Sequence, residues 1–383
     1  MIPAYNEISL RDVLASLYEC DTVTLKVVVI VVFNYSENAN NSIRNRNKLA
    51  FEETKELAKI YLDKLHIIPV YAENLPIKLA GVGYARKIGM DYAVNILSVH
   101  TADAVITCLD ADSTCSNTYF TSIFKAFLQN PKMDAASIYF EHPTEKSIFD
   151  DKIISSIISY ELHLRYYIQM QKFIGLPYAF HTVGSSMAVR ASSYCRYGGM
   201  NTRKAGEDFY FLQKFISKGH VGNITSACVY PSPRISDRVP FGTGKAVGDM
   251  INKNTEEFMT YHYDSFYELS LLMTDIESLY ENEWSVIKRK YPEHLVKWLE
   301  ERRVQDKIIE CRKHTSDVVA FKKRFFQWFD AFNLMKYLHW YRVHVKADIP
   351  VTSAAKHHLK TAGYADYPDH PSDLLNLYRL LDR

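Results

Sequence analysis

From the start to about residue 230, short β-branched runs alternate with amphipathic segments, the pattern of a βαβ chain with a largely parallel sheet. Strands are predicted over Leu25–Phe33, Ile67–Tyr71, Ala104–Leu109, Ala135–Phe140, Thr182–Val189 and Val221–Val229, with helical patterns between them long enough to serve as crossovers. Leu10, Val13, Leu14 and Leu17 mark the apolar face of the first helix. Beyond about residue 245 the β-branched runs stop and stretches rich in Glu, Lys, Leu and aromatic residues read as helix. There the spacing of Phe321, Phe325, Trp328, Phe329, Phe332 and Met335 predicts one helical face, with Pro292, Pro350, Pro368 and Pro371 at helix starts or breaks. The pattern divides the chain into an α/β domain over 1–245 and a helical region over 246–383. At Met1-Ile2-Pro3 only the last residues of the expected central first strand are present, which points either to a start set too late or to a shortened strand.

Composition narrows the picture. A chain of 383 residues, 47% hydrophobic and 23% charged, is globular and longer than one core usually supports. Its formal charge of +2, from 46 basic and 44 acidic residues, argues against a nucleic-acid binder working through a basic field, so any anion site is local. The 6 cysteines are scattered without a CxxC pair, which fits buried apolar thiols in a reducing compartment better than a zinc cage or a disulfide framework. The longest apolar run, Val27 to Phe33, is too short to cross a bilayer, and no basic region followed by an apolar stretch opens the chain. The expected location is the cytoplasm, with peripheral contact at the inner face of the membrane left open.

Two acidic motifs carry candidate chemistry. In Val105-Ile106-Thr107-Cys108-Leu109-Asp110-Ala111-Asp112-Ser113 an apolar strand runs into two carboxylates one residue apart. Ligands of open α/β sheets bind beyond the carboxyl ends of strands, so such acids can hold a hard cation against a phosphate-bearing ligand and, by splaying, let one touch the metal and the other a sugar hydroxyl. The plainer alternative is a solvated turn in which Asp112-Ser113 caps a following helix. Gly206-Glu207-Asp208 places two acids at a helix start, either as an ordinary cap or as a general base facing a cleft.

Taken with Ile2-Pro3-Ala4-Tyr5-Asn6-Glu7 and Gly184-Ser185-Ser186-Met187-Ala188-Val189-Arg190, these motifs occur in an order and approximate spacing that resembles the family 2 glycosyltransferases, over roughly the first two-thirds of the chain. The resemblance implies a GT-A fold, a Rossmann-like and mostly parallel sheet with helices on both faces. It also implies a non-processive, inverting transfer of a sugar from a nucleotide-diphosphate donor to the hydroxyl of a glycan or lipid-linked acceptor, in glycan or cell-surface polysaccharide synthesis, with Mg²⁺ or Mn²⁺ as cofactor. On it, Pro3, Ala4, Tyr5 and Glu7 line the nucleoside pocket. Asp110 lies near the ribose and diphosphate, Asp112 and Asp110 hold the metal, and Asp208 is the base with Glu207 beside it. Gly184, Ser185 and Ser186 border the acceptor, and Arg86, on the glycine-rich helix start Gly81–Gly89, approaches the nucleotide.

Other segments stand apart from the family pattern. After the second strand the chain reads Phe33-Asn34-Tyr35-Ser36-Glu37-Asn38 where an aspartate-containing turn is common, leaving Asn34 or Glu37 as base readers or as surface residues. The tryptophan motif of processive members is missing. Arg234, Arg238 and Lys245 lie in a Pro/Gly-punctuated loop after the last predicted strand and suggest a lid over a diphosphate. Lys322-Lys323-Arg324 beside Phe325-Phe326 fits a core-facing helix with snorkelling cations or a membrane-surface helix, and His181 fits a structural histidine better than a catalytic one. Two other readings stay open: a nucleotidyltransferase, and a non-catalytic sugar-nucleotide-binding or scaffold protein.

Overall fold

A computed structural model describes residues 1–22, 25–97 and 104–383. The chain forms two units, one of residues 1–157, 180–249 and 383, the other of residues 158–179 and 250–382. The second unit therefore takes in an internal segment that the sequence pattern assigned to the α/β domain, besides the C-terminal helical region.

The first unit is α/β. In chain order its elements are β1 (Ile2–Ala4), α1 (Arg11–Glu19), β2 (Val28–Ser36), α2 (Asn41–Ile60), β3 (His66–Leu75), α3 (Val82–Leu97), β4 (Val105–Cys108), β5 (Ser113–Cys115), α4 (Tyr119–Gln129) and β6 (Ala135–Phe140). Then come α5 (Asp151–Phe173), which continues into the second unit, β7 (Met187–Arg190), α6 (Ala191–Arg196), α7 (Glu207–Ile216), β8 (Val221–Pro231) and α8 (Thr243–Lys253). Strands β1, β2 and β3 pair in parallel, and a second sheet has the order β4-β7-β6-β8-β5. The α-ammonium of Met1 donates to the carbonyl of Thr107 at 2.6 Å, and the Met1 carbonyl accepts from the Leu109 amide at 3.1 Å. This is one step of a parallel ladder, so β1 joins the two sheets beside β4. Burial pushes that ammonium below its ordinary value.

The sheet is more mixed than the sequence pattern predicts: β6 and β8 are parallel, but β7 runs antiparallel to both β4 and β6, and β5 antiparallel to β8. The β5–β8 pairing sets Ser113 opposite Pro231, which delivers the segment after β8 to the acidic motif. Six-residue β6 is buried throughout, as a central strand covered on both faces must be.

The second unit is helical apart from a short antiparallel pair, Met259–Thr260 with Ile349–Pro350. Its core holds Trp298 edge-on to Tyr337, with Phe321, Phe325 and Phe329 fully buried. The predicted single face from Phe321 to Met335 is in fact two helices. Val318–Trp328 ends at Phe329, and Ala331–His344 starts under the cap of Asp330, whose carboxylate accepts from the Asn333 amide at 3.0 Å. Pro292, Pro350 and Pro371 do sit at helix starts. Lys322 pairs with Glu277, and Arg324 with Glu310 at 2.9 Å, so two of the three clustered cations face acids of their own unit. Among the described residues no helix is long and apolar enough to cross a membrane.

Candidate functional site

Parallel β1, β2 and β4 end at one rim of the sheet, and the acidic motif lies there. After β4 the chain closes a tight turn in which the Ser113 amide donates to the Asp110 carbonyl at 3.0 Å, and it then enters β5 rather than a helix. Asp112 thus caps no helix. The turn splays the two acids. Asp110 accepts from Arg86 at 2.5 Å, and Asp112 from Arg234 Nε at 2.7 Å.

Arg86, on the second turn of α3, is almost fully buried and bridges Asp110 to Glu207 at the start of α7. Burial works against its charge, but Asp110 and Glu207 outweigh it and its proton is held more tightly than usual. Glycine at two positions makes this approach possible: a Cβ on Gly184 would lie 2.4 Å from the guanidinium, and one on Gly83 would lie 2.2 Å from the Arg203 carbonyl. The glycines of α3 and the residue before it serve close packing, Gly81 on Lys204, Gly83 on Arg203 and Glu207, and Gly89 on Met1 and Val32, while Gly184 makes room for Arg86.

The loop after β1 turns at Asn6, whose φ of 57° is one asparagine tolerates, and its amide donates to Asn47 Oδ1 at 2.7 Å. That turn sends Glu7 inward, where Arg234 donates to both carboxylate oxygens at 2.9 and 2.6 Å and Arg238 adds a further contact. Burial raises the proton affinity of Glu7, yet the two arginines prevail and hold it below the usual carboxylate range. Phe241, in the same loop, lies 3.4 Å from where a Cβ on Gly206 would sit. The loop from Ser232 to Gly242 thus spans Glu7, Asp112 and Gly206. Lys245 belongs instead to α8, paired with Asp249 at 2.6 Å.

Asp208 differs from its neighbours. No cation pairs with it among the described residues; its Oδ1 accepts only from the Phe209 amide at 2.7 Å. Burial first, and the charge of Glu207 second, push it up to about 7, with Arg86 pulling the other way. Asp112 is pushed up to about 6 by burial against the pull of Arg234. Five carboxylates (Glu7, Asp110, Asp112, Glu207, Asp208) thus share this rim with three guanidiniums (Arg86, Arg234, Arg238), and burial, with neighbouring carboxylates adding to it, raises the proton affinity of Asp112 and Asp208.

The remaining sequence candidates fall around this cluster or inside the sheet. Pro3 and Ala4 are in β1 and Tyr5 follows it, half-buried. Asn34 lies within β2, which runs on to Ser36; it is buried, and its carbonyl accepts from Asn47 Nδ2 at 2.9 Å. Glu37 accepts from the Ile77 amide at 3.3 Å. Ser185 and Ser186 are buried with their hydroxyls 3.4 Å apart, and His181 packs edge-on to Phe140. Asn47 is the residue that sequence reasoning missed: it ties the Glu7 loop to β2. Its signal was a polar side chain among the buried positions Asn47, Ala50, Thr54 and Leu57 of α2.

Asp110 and Asp112 are hard oxygen donors of the kind a divalent cation takes, but each is engaged by an arginine, and among the described residues no cluster of three or more metal-ligating side chains is preformed.

No protein-family model and no curated protein sequence matches the chain. Solved structures similar to it include S. aureus TarS, at 12% identity over 89% of this chain and 54% of that one, with a TM-score of 0.39. They also include TarS 1–349 in complex with UDP, at 13% identity over 100% of this chain and 89% of that one, with a TM-score of 0.37. TarS 1–349 without the complex gives 12% identity, 100% and 88% coverage and a TM-score of 0.38. The chain spans about half the length of the longer TarS chain.

Proposed function

We propose that the chain is a metal-dependent inverting glycosyltransferase that moves a sugar from a nucleotide-diphosphate donor to an acceptor hydroxyl. The observation that supports this most is the division of labour among the acids at one sheet rim. Asp110, Asp112 and Glu7 are engaged by arginines, whereas Asp208 in the same electrostatic cluster pairs with no cation among the described residues and is pushed up to about 7 by burial.

A carboxylate with that proton affinity suits general-base work near neutral pH. In the proposed step Asp208 takes the proton of the acceptor hydroxyl. The oxygen forms a bond to the anomeric carbon from one side, while the bond from that carbon to the diphosphate oxygen breaks on the other. The electron pair leaves with the nucleoside diphosphate, and a guanidinium that hydrogen-bonds phosphate in two places, such as Arg234 or Arg238, meets the growing charge. Both arginines sit on a loop and trade Glu7 and Asp112 for the diphosphate as donor enters. Asp112 and Asp110 would hold Mg²⁺ or Mn²⁺, which supplies Lewis-acid stabilisation of the departing diphosphate when bound. Glu207 keeps Arg86 in place between the two acidic motifs.

A thermal-shift panel of UDP-, GDP- and dTDP-sugars with and without Mn²⁺ tests the proposal. The expected result is a rise in Tm with one nucleotide class that depends on the metal. Absence of any nucleotide-dependent shift, with metal present, sinks it.

A further inference from the structure

At the opposite rim of the same sheet is a cavity of about 720 Å³, bordered by the first residue of β4, the last of β7, and the residues just before β6 and β8. Its cations are Lys132, Arg190 and Arg196, with His220 beside them, and its single acid is Asp134. Phe124 and Leu128 of α4 form an apolar wall and are 43% and 65% exposed.

The lone acid is already satisfied. Ser193 donates to Asp134 Oδ1 at 2.5 Å, His220 Nδ1 meets Oδ2 at 2.8 Å and Arg196 stands 3.9 Å away. Burial raises the proton affinity of Asp134, but Ser193 and His220 outweigh it and keep the carboxylate ionised below its usual pKa. With Nδ1 engaged, the ring nitrogen of His220 left for a ligand is Nε2. The carbonyl end of α4 would repel an anion here, but Arg190 covers it, donating to Phe127 O at 2.5 Å, Asn130 O at 3.1 Å and Met133 O at 2.9 Å. Lys132 and Arg196, both exposed, thus face the cavity with more positive charge than Asp134 neutralises.

We propose that this cavity binds an organic phosphate monoester, its phosphate held by Arg196, Lys132 and His220 and its apolar body laid on Phe124 and Leu128. The polar groups that line the cavity come from separate elements, Arg196 from α6, Lys132 from the turn before β6 and His220, a donor at Nε2 when protonated, from the turn before β8. That suits a tetrahedral dianion better than a planar carboxylate, which a single guanidinium fork satisfies. The site is independent of the acids around Asp112, so neither reading depends on the other.

Isothermal titration of the full chain with phenyl phosphate, inorganic phosphate and phenol is the test. Saturable binding of phenyl phosphate is expected, weakened at least tenfold by Arg196→Gln together with Lys132→Gln and unchanged by Arg234→Ala. Weaker binding of inorganic phosphate or phenol assigns the two halves of the ligand to the cations and to the apolar wall. If phenyl phosphate does not saturate, if it binds the double variant as tightly, or if Arg234→Ala abolishes binding, the proposal is overturned. Asp134→Asn is unsuited to the test because it disturbs the buried Ser193 hydroxyl together with His220; substituting the exposed pair Lys132 and Arg196 leaves the fold intact.

Discussion

At the scale of single residues, Asp208 is the most informative side chain. Its folded-state pKa of about 7 lies above the ordinary 3.8, so the folded protein holds a proton that the unfolded chain releases. The resulting stability is fully present below the unfolded value and is lost as pH rises through about 7. Asp208→Asn is therefore expected to raise stability at pH 8, on the order of a few kcal/mol, as read from a denaturant midpoint. Turnover of the same variant is expected to fall by about 10²–10⁴-fold while metal-dependent donor binding persists. In the unaltered protein, turnover should decline as pH drops through about 7; a rate that stays level down to pH 5 removes Asp208 as the base. The motif acids were legible in the sequence because strand ends and helix starts are short-range features. Their partners were only partly so: Arg86 and Glu207 are 121 residues apart and Arg234 and Glu7 are 227 apart, separations that no local pattern encodes.

Among the elements, the loop from Ser232 to Gly242 carries the next prediction. Arg234 serves both Glu7 and Asp112, whereas Arg238 serves Glu7 and the Asn6 carbonyl. Arg238→Ala is expected to weaken donor binding about tenfold with little change in Tm, since Glu7 keeps its two-pronged partner. Arg234→Ala should weaken donor binding and also lower Tm, because Asp112 and Glu7 lose a shared cation. Equal donor affinity in both variants and the parent, measured by titration, removes the loop from the site. Pro233, Pro240 and Gly242 signalled a loop from sequence alone, and the strand before it was placed correctly at Val221. Strand direction was not legible: β7 is three apolar residues and Arg190, and nothing in so short a run tells parallel from antiparallel. The break at Phe329 escaped notice for a related reason, since the apolar stripe continues across it while the Asp330 cap restarts the helix.

For the molecule as a whole, charge placement in each unit matters more than charge total. The second unit buries Glu161, Arg165 and Asp382 almost completely, with Arg165 donating to Asp382 at 2.7 Å and Arg379 donating to Glu161 at 2.8 Å. These contacts fix the last helix, Pro371–Leu381, to residues 158–179. They also explain why a sequence boundary near residue 245 missed the inner segment: the apolar pattern of α5 does not reveal which charges it will share. Arg165→Ala removes a buried cation shared by Glu161 and Asp382, leaving Glu161 to Arg379 and Asp382 to Lys172 and Gln169, and is expected to cost about 3 kcal/mol by chemical denaturation. In the first unit the five acids around three arginines have a different consequence. Near pH 6.5 a hydrogen ion is the resting counterion of Asp208 and, in a fraction of molecules, of Asp112, so the proposed divalent ion would evict it on settling among these acids. Adding Mn²⁺ to the protein in weak buffer at pH 6.5 will then acidify the solution, and the heat of that titration will track the ionisation enthalpy of whichever buffer receives the protons.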